Sequence, residues 1–264
     1  MNQFEFESLL SGLPLGRLRY YGTVTSTNEL AMRWADAGAP HLSLVAADEQ
    51  TEGRGRLGRR WLTPPGSALA FSLILTEVSA DAALAYNALG ALAVCDTLNQ
   101  ALPPMLPAQV KWPNDVLAQR KKLAGVLAEA QWHGDRLAAI TLGIGINVSP
   151  ASLPPPEGLN FPATCVEQAI GEGVDRWGLL RAVLEKLLEL LPAVSTPDFM
   201  RLWQTRLAFR GEWVQVRQED GALLEGFLSG LNPDGSLRLR DREGHFTTVQ
   251  FGEVSLRPVD SSSK

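Results

Sequence analysis

The sequence predicts an α+β fold, a central β-sheet flanked by helices, followed by a small β-barrel at the C-terminal end. Three observations lead there. Strand-like runs alternate with helical periodicity up to about residue 207. The run ALAFSLIL at 68–75 is continuously apolar, as in a strand buried on both faces. From Gly211 the texture changes to short alternating segments punctuated by Glu-Asp-Gly, Asn-Pro-Asp-Gly and Arg-Glu-Gly turns.

After a short acidic opening, RLRYYGTV (17–24) reads as a strand from its aromatic and β-branched content. TSTNE (25–29) opens a helix to about residue 37, stopped by Gly38 and Pro40. LSLVAADE is the second strand, followed by a loop rich in glycine and arginine. The apolar run at 68–75 is the third strand, and 81–102 carries a helical pattern ended by Pro103 and Pro104. AQVKW, KLAGVLAEAQW and RLAAITLGIGINV are further strands, the last two joined by a hairpin at His133-Gly134-Asp135. SLPPPEGLNFP (152–162) is a loop. An amphipathic helix spans 175–191, with Leu180, Val183, Leu184, Leu187, Leu188 and Leu191 on one face, and another helix spans 198–207. GEWVQVRQ, ALLEGFLSGL, SLRLRD and HFTTVQF supply the strands of the barrel, which places domains at 1–208 and 209–264.

Composition excludes several function classes. The chain has 264 residues, 45% hydrophobic and 20% charged, with a formal net charge of −5. That balance argues against a phosphate-backbone ligand, which calls for a basic surplus. Two cysteines, Cys95 and Cys165, make no disulfide scaffold, and three histidines are too dispersed for a metal motif. The opening MNQFEFESLL lacks the basic start and apolar run of a signal peptide. No apolar stretch approaches the ~20 residues of a membrane helix. A cytoplasmic protein that does not engage a membrane is expected.

Candidate chemistry lies in separate segments. In Gly53-Arg54-Gly55-Arg56-Leu57-Gly58-Arg59-Arg60-Trp61, glycines permit close backbone approach and arginines offer cationic forks suited to phosphate or carboxylate. Alone, the run fits a solvated basic loop equally well, and it lacks P-loop spacing. Lys111-Trp112-Pro113-Asn114-Asp115 follows a strand and suits either a surface turn or a site at a strand end. Lys122 stands before an apolar run, where a lysine snorkels at an edge or neutralises a reacting anion. Ser26 with Glu29 has capping-box spacing, and a helix N-terminus is also an anion site. GIGIN (143–147) lacks the third glycine of a dinucleotide fingerprint and reads as a strand ending at Asn147.

Taken in order, STN, GRGRLGRRW, KWPND, KKLAGVLAE and GIGINV resemble the catalytic region of biotin–protein ligases over roughly 24–148. FPATCVEQAIG resembles the segment that follows, with Cys165 where a serine is usual, and the β-rich tail is similar to the family's SH3-like domain. The resemblance implies a mixed sheet of the class II synthetase-like biotin/lipoate ligase type. It also implies a two-step reaction: biotin and ATP with Mg²⁺ give biotinyl-5′-adenylate and pyrophosphate, and a carrier-domain lysine then takes the biotinyl group. By the same resemblance, biotin is bound by Ser26, Thr27, Asn28, Gln50, Arg54, Gly55, Arg56 and Lys122. ATP and the adenylate fall to Arg54, Arg56, Arg59, Trp61, Lys111 and Asn147, and catalysis to Lys122, Arg54 and Asp115. Mg²⁺ is expected to be held mainly by the nucleotide phosphates.

The implied macromolecular partner is a biotin carboxyl carrier domain, and a homodimer paired through sheet edges is compatible with the family. Because the resemblance begins near residue 20, a ligase without the family's DNA-binding repressor domain is expected, with no DNA partner. Two rivals stand beside this reading: a lipoate–protein ligase, and a binding module that holds its ligand without turnover.

Overall fold

The computed structural model describes residues 1–61, 63–79, 83–155, 157, 161–194, 196–217, 222–250 and 255–258. The strands of the larger sheet are β1 (Leu18–Val24), β2 (Ser43–Gln50), β3 (Ala68–Leu75), β4 (Gln109–Lys111), β5 (Asp115–Ala118), β6 (Lys121–His133) and β7 (Arg136–Asn147). They form a seven-stranded sheet in the order β1-β2-β3-β7-β6-β5-β4. β1 and β2 run parallel and the other neighbours antiparallel, so the sheet is mixed as expected.

Helices cover both faces because both faces are apolar. The helices are α1 (Gln3–Leu9), α2 (Thr27–Asp36), α3 (Ala83–Leu98), α4 (Val166–Ile170), α5 (Arg176–Leu190) and α6 (Pro197–Arg206). In β3 every residue is buried, as its mainly apolar run requires, with Ser72 hydrogen-bonded to Thr27 and Asn28. Leu69, Phe71, Leu73 and Leu75 join the main core with α3 and α5, while Ile74 and Val45 meet Ala31 and Trp34 of α2. This alternation is the period-2 geometry of a strand.

Several elements depart from the expectations. The acidic opening contains α1, closed by a capping box in which Asn2 Oδ1 accepts from Glu5 N (2.9 Å) and Glu5 accepts from Asn2 N (2.8 Å). Seven residues are too few to display a helical period. β5 begins within the segment taken for a turn, and its hairpin to β6 turns at Gln119 (φ 49°) and Arg120 (φ 62°). Neither is the glycine or asparagine by which such a turn is recognised. At α2, Ser26 caps as expected, but Glu29 does not reciprocate; its carboxylate meets Thr25 and Arg33. Cys165 occupies the N-cap of α4 without a side-chain cap hydrogen bond.

The C-terminal strands are β8 (Trp213–Arg217), β9 (Leu223–Leu231), β10 (Leu237–Arg240), β11 (Phe246–Val249) and β12 (Ser255–Pro258). They form a five-stranded antiparallel sheet in the order β11-β10-β9-β8-β12. Among the described residues no pairing joins β11 to β12, so the expected barrel is a small open sheet. Val214, Val216, Leu228, Leu237 and Leu239 pack into the same core as Trp203 and the larger sheet. An apolar face covered in this way need not be buried by closure. Among the described residues no helix is long and apolar enough to cross a membrane.

Candidate active site

One cavity of about 420 Å³ opens above β6 and β7, and every residue carried over from the sequence lines it: Ser26, Thr27, Asn28, Gln50, Arg54, Gly55, Arg56, Arg59, Trp61, Lys111, Asp115, Lys122 and Asn147. Three glycines, Gly125, Gly143 and Gly145, leave much of the floor to backbone. Gly125 of β6 faces Gly145 of β7, and a Cβ at Gly145 would lie 2.4 Å from the Trp61 ring. A Cβ at Gly143 would lie 2.0 Å from Asn28 Oδ1. These glycines are therefore requirements of close approach, as the alternation in GIGIN suggested.

At one end the α2 N-terminus brings neutral hydrogen-bonding groups into the wall. Ser26, Thr27 and Asn28 are 2%, 4% and 4% exposed. Gln50 Oε1 accepts from the Thr27 amide (2.8 Å), and its Nε2 donates to Thr63 Oγ1 (3.1 Å). Asn28 Nδ2 donates to Leu127 O (3.2 Å) and Glu129 Oε2 (2.9 Å), while the Ser72 hydroxyl donates to Asn28 Oδ1 (2.5 Å). Such a wall suits a neutral polar ring system.

The glycine–arginine segment folds back as a small hairpin over the cavity. Gly55 N donates to Arg59 O (2.8 Å) and Trp61 N to Gly53 O (2.7 Å). Arg54 Nη2 reaches Glu129 Oε1 at 2.6 Å, and Arg56 Nη1 donates to Asn114 Oδ1 at 3.3 Å. The Trp61 ring rests on the glycine floor, 5.6 Å from Lys122 Nζ. Its buried Nε1 has no hydrogen-bond partner among the described residues.

At the other end the charges converge. Asp115 opens β5 and pairs with Lys122 Nζ at 2.6 Å and Lys111 Nζ at 3.6 Å. Burial pushes the Asp115 carboxyl up, but the Lys122 and Lys111 ammoniums and the Arg56 guanidinium outweigh it and hold it below the usual value. Lys111 Nζ also lies 4.5 Å from the Phe161 ring centre. Asn147, at the end of β7, donates to Thr164 O (3.2 Å). The cluster therefore holds one ionised carboxylate among several cations, an environment able to accept further negative charge.

Sequence reasoning missed Glu129, Ser72, Asn114 and Phe161. Ser72 carried a signal, being the one polar residue of β3, and Glu129 interrupts the apolar stretch 123–128 of β6. Phe161 sat in a proline-rich loop and carried none. Among the described residues no group of three or more His, Cys, Asp or Glu side chains gathers to hold a metal.

Residues 21–147 match the profile of the biotin/lipoate A/B protein ligase family. The chain is 33% identical over 232 residues to the bifunctional ligase/repressor BirA of Bacillus spizizenii, covering 86% of this chain and 70% of that protein. It is 31% identical over 226 residues to the biotin–[acetyl-CoA-carboxylase] ligase of Paracoccus denitrificans, covering 83% and 92%. The solved structure of the biotin protein ligase of Aquifex aeolicus in complex with biotin and ATP superimposes with a TM-score of 0.78 at 31% identity, over 92% of this chain and 99% of that one. Sequence identity across most of both chains, together with the shared fold, places this protein in the biotin/lipoate ligase family.

Proposed function

We propose that the chain is a biotin–protein ligase. It activates biotin with ATP to biotinyl-5′-adenylate and transfers the biotinyl group to a lysine of a biotin carboxyl carrier domain. The observation that carries this reading is the gathering of Arg54, Arg56, Lys111 and Lys122 with Asp115 on one cavity whose far end is neutral and polar. Its relatives are named as ligases for biotin, and a solved relative binds biotin and ATP together.

In the first step the biotin carboxylate attacks the α-phosphorus and pyrophosphate leaves. Two anions must meet, and the cations at the charged end offset their repulsion. The ureido ring lies against Ser26, Thr27, Asn28 and Gln50. Arg59, Trp61 and Asn147 serve the nucleotide, with Gly55 giving the backbone close access. In the second step the carrier lysine arrives as an ammonium and gives one proton to solvent; the free amine attacks the carbonyl carbon, AMP leaves, and a second proton is released with the amide. Asp115, already ionised, orients the incoming ammonium. Mg²⁺ would be held mainly by the nucleotide phosphates and would offset their charge; among the described lining residues Asp115 is the carboxylate, and both lysines already hold it.

We take residues 1–208 as the catalytic domain and 209–264 as an SH3-like domain. The reading includes no DNA partner, for which the net charge of −5 is poorly suited. Two buried free cysteines fit the reducing cytoplasm.

The test is direct. With ATP, Mg²⁺ and a carrier domain, biotin should yield AMP and a biotinylated carrier, whereas lipoate should yield neither. Lipoylation with no biotinylation would reassign the acyl substrate, and silence with both would leave a binding module. The floor makes a second prediction. Gly143→Ala forces a methyl against Asn28, which Ser72, Leu127 and Glu129 hold in place. Calorimetry should show biotin affinity at least about tenfold weaker, the order of a lost polar contact at ~1.5 kcal/mol. Unaltered affinity would place biotin elsewhere.

A further inference from the structure

We propose that the C-terminal sheet is a positioning device for the lysine–aspartate cluster, acting through Trp112, Arg120 and Phe161. The inference rests on the ligase reading and assigns the second sheet a part in the chemistry.

The charged cluster stands on slight supports. Lys111 ends β4, the outermost strand of the larger sheet, and Asp115 begins β5; these strands have three and four residues. Short edge strands have few ladder bonds and open at low free energy. Adenylation, by contrast, needs its charges fixed, since a displacement of about 1 Å can slow a reaction about a hundredfold.

β6 and residues 162–164 hold Asn114 and the main chain of Lys122, and further support comes from beyond residue 206. Leu207 bridges Val110 of β4 in parallel, and Ala208 N donates to Val110 O at 2.9 Å. Trp112, 1% exposed and next to Lys111, donates its indole N–H to Gly235 O at 2.9 Å. Gly235 lies in the turn between β9 and β10, which is closed by Asn232 N donating to Ser236 O (2.9 Å) and Ser236 N donating to Asp234 (3.0 Å). On the other side of the cluster, Arg120 occupies the turn just before Lys122. Its guanidinium grips Glu212 through two bonds, 2.8 and 2.9 Å, and lies 4.8 Å from the Phe209 ring centre. Phe209 meets Phe161 edge-on at 6.4 Å, and the Phe161 ring faces Lys111 Nζ.

Backbone strain marks the same contact. Gln119, Arg120 and Phe209 adopt φ values of 49°, 62° and 62°, left-handed conformations taken without glycine. Such conformations persist where surrounding contacts over-determine them. Here they bring the Arg120 turn and the entry to the second sheet together. Both turns that carry the cluster are therefore braced by residues 207–235. The Ser26–Asn28 end of the cavity has no part in these contacts.

The test uses the intact chain and a pair that is half exposed, with side chains 55% and 40% accessible, so its loss should scarcely affect stability. Arg120→Glu and Glu212→Arg each place like charges together. Each should lower kcat for biotin-dependent pyrophosphate exchange by roughly five- to twentyfold, a misplacement well under the ~1 Å case. Biotin affinity by calorimetry should stay within about twofold, because the neutral end is untouched. The double reversal should recover kcat to within about threefold. Trp112→Phe, which keeps a ring but loses the donor, should slow exchange about tenfold with the same split. The proposal is overturned by unchanged turnover in the single reversals, by failure of the double to recover it, or by biotin affinity falling in parallel. Wild-type protein without exchange would remove the ligase reading, and this inference with it.

Discussion

Replacing Lys122 with alanine should slow biotin-dependent exchange of pyrophosphate into ATP by tens to several hundred fold, or ~2–4 kcal/mol of barrier. The argument has two parts. Lys122 Nζ is a cation at the charged end of the cavity, where carboxylate and phosphate must approach. It is also the nearer partner of Asp115, at 2.6 Å against 3.6 Å for Lys111. Its removal therefore subtracts a positive charge and leaves a carboxylate less compensated, and both changes oppose an incoming anion. The fold should survive, because the main-chain bonds of Lys122 with Pro162 O (2.7 Å) and Thr164 N (2.9 Å) need no side chain. Exchange kinetics and circular dichroism on the same sample decide the matter; wild-type exchange in a folded variant would take Lys122 out of the chemistry.

Asp115→Asn should act on the other half-reaction. Single-turnover transfer from preformed adenylate to a carrier domain should fall by about a hundredfold, the scale of a lost charge-assisted contact in a closed site. Adenylation should fall less, since the substitution removes a negative charge from the anion site. The reverse order of effects would reject the role. A stability signature accompanies it. Burial raises the Asp115 pKa, but Lys122, Lys111 and Arg56 bring it below the ordinary 3.8. A depressed folded-state pKa means that its stabilising contribution is complete above the unfolded value and disappears as pH falls through the folded one. The melting-temperature gap between wild type and Asp115→Asn should thus be constant near neutrality and close below about pH 4. The low pKa also makes Asp115 a weak proton acceptor, and so favours orienting the ammonium over deprotonating it.

Both predictions depend on groups far apart in the chain. Arg54 and Lys122 had to share a cavity for the ligase reading to stand, and they do. Long-range hydrogen bonds tie the network, as from Arg54 to Glu129 and from Asn28 to Leu127.

The larger sheet was legible because periodicity is local. The alternation in β6 and β7, the apolar run of β3 and the leucine spacing of α5 are each complete within one segment. The candidate residues were legible for a different reason: ordered motifs carried them over together. Neither route reached β5 and its turn, because Gln119 and Arg120 adopt left-handed backbone that their side chains do not advertise. Nor did either reach Glu129, whose importance lies in what stands opposite it. The C-terminal strands could be counted from their turns, but whether they closed on themselves depended on what covered their apolar face. That face joins the core around Trp203. Sequence alone thus determined most of the elements and the charges they carry, since propensity and charge belong to each residue. Tertiary structure decided which charges meet, how strongly Asp115 is held ionised and what braces it, since Coulomb energy and burial depend on distances that only packing sets.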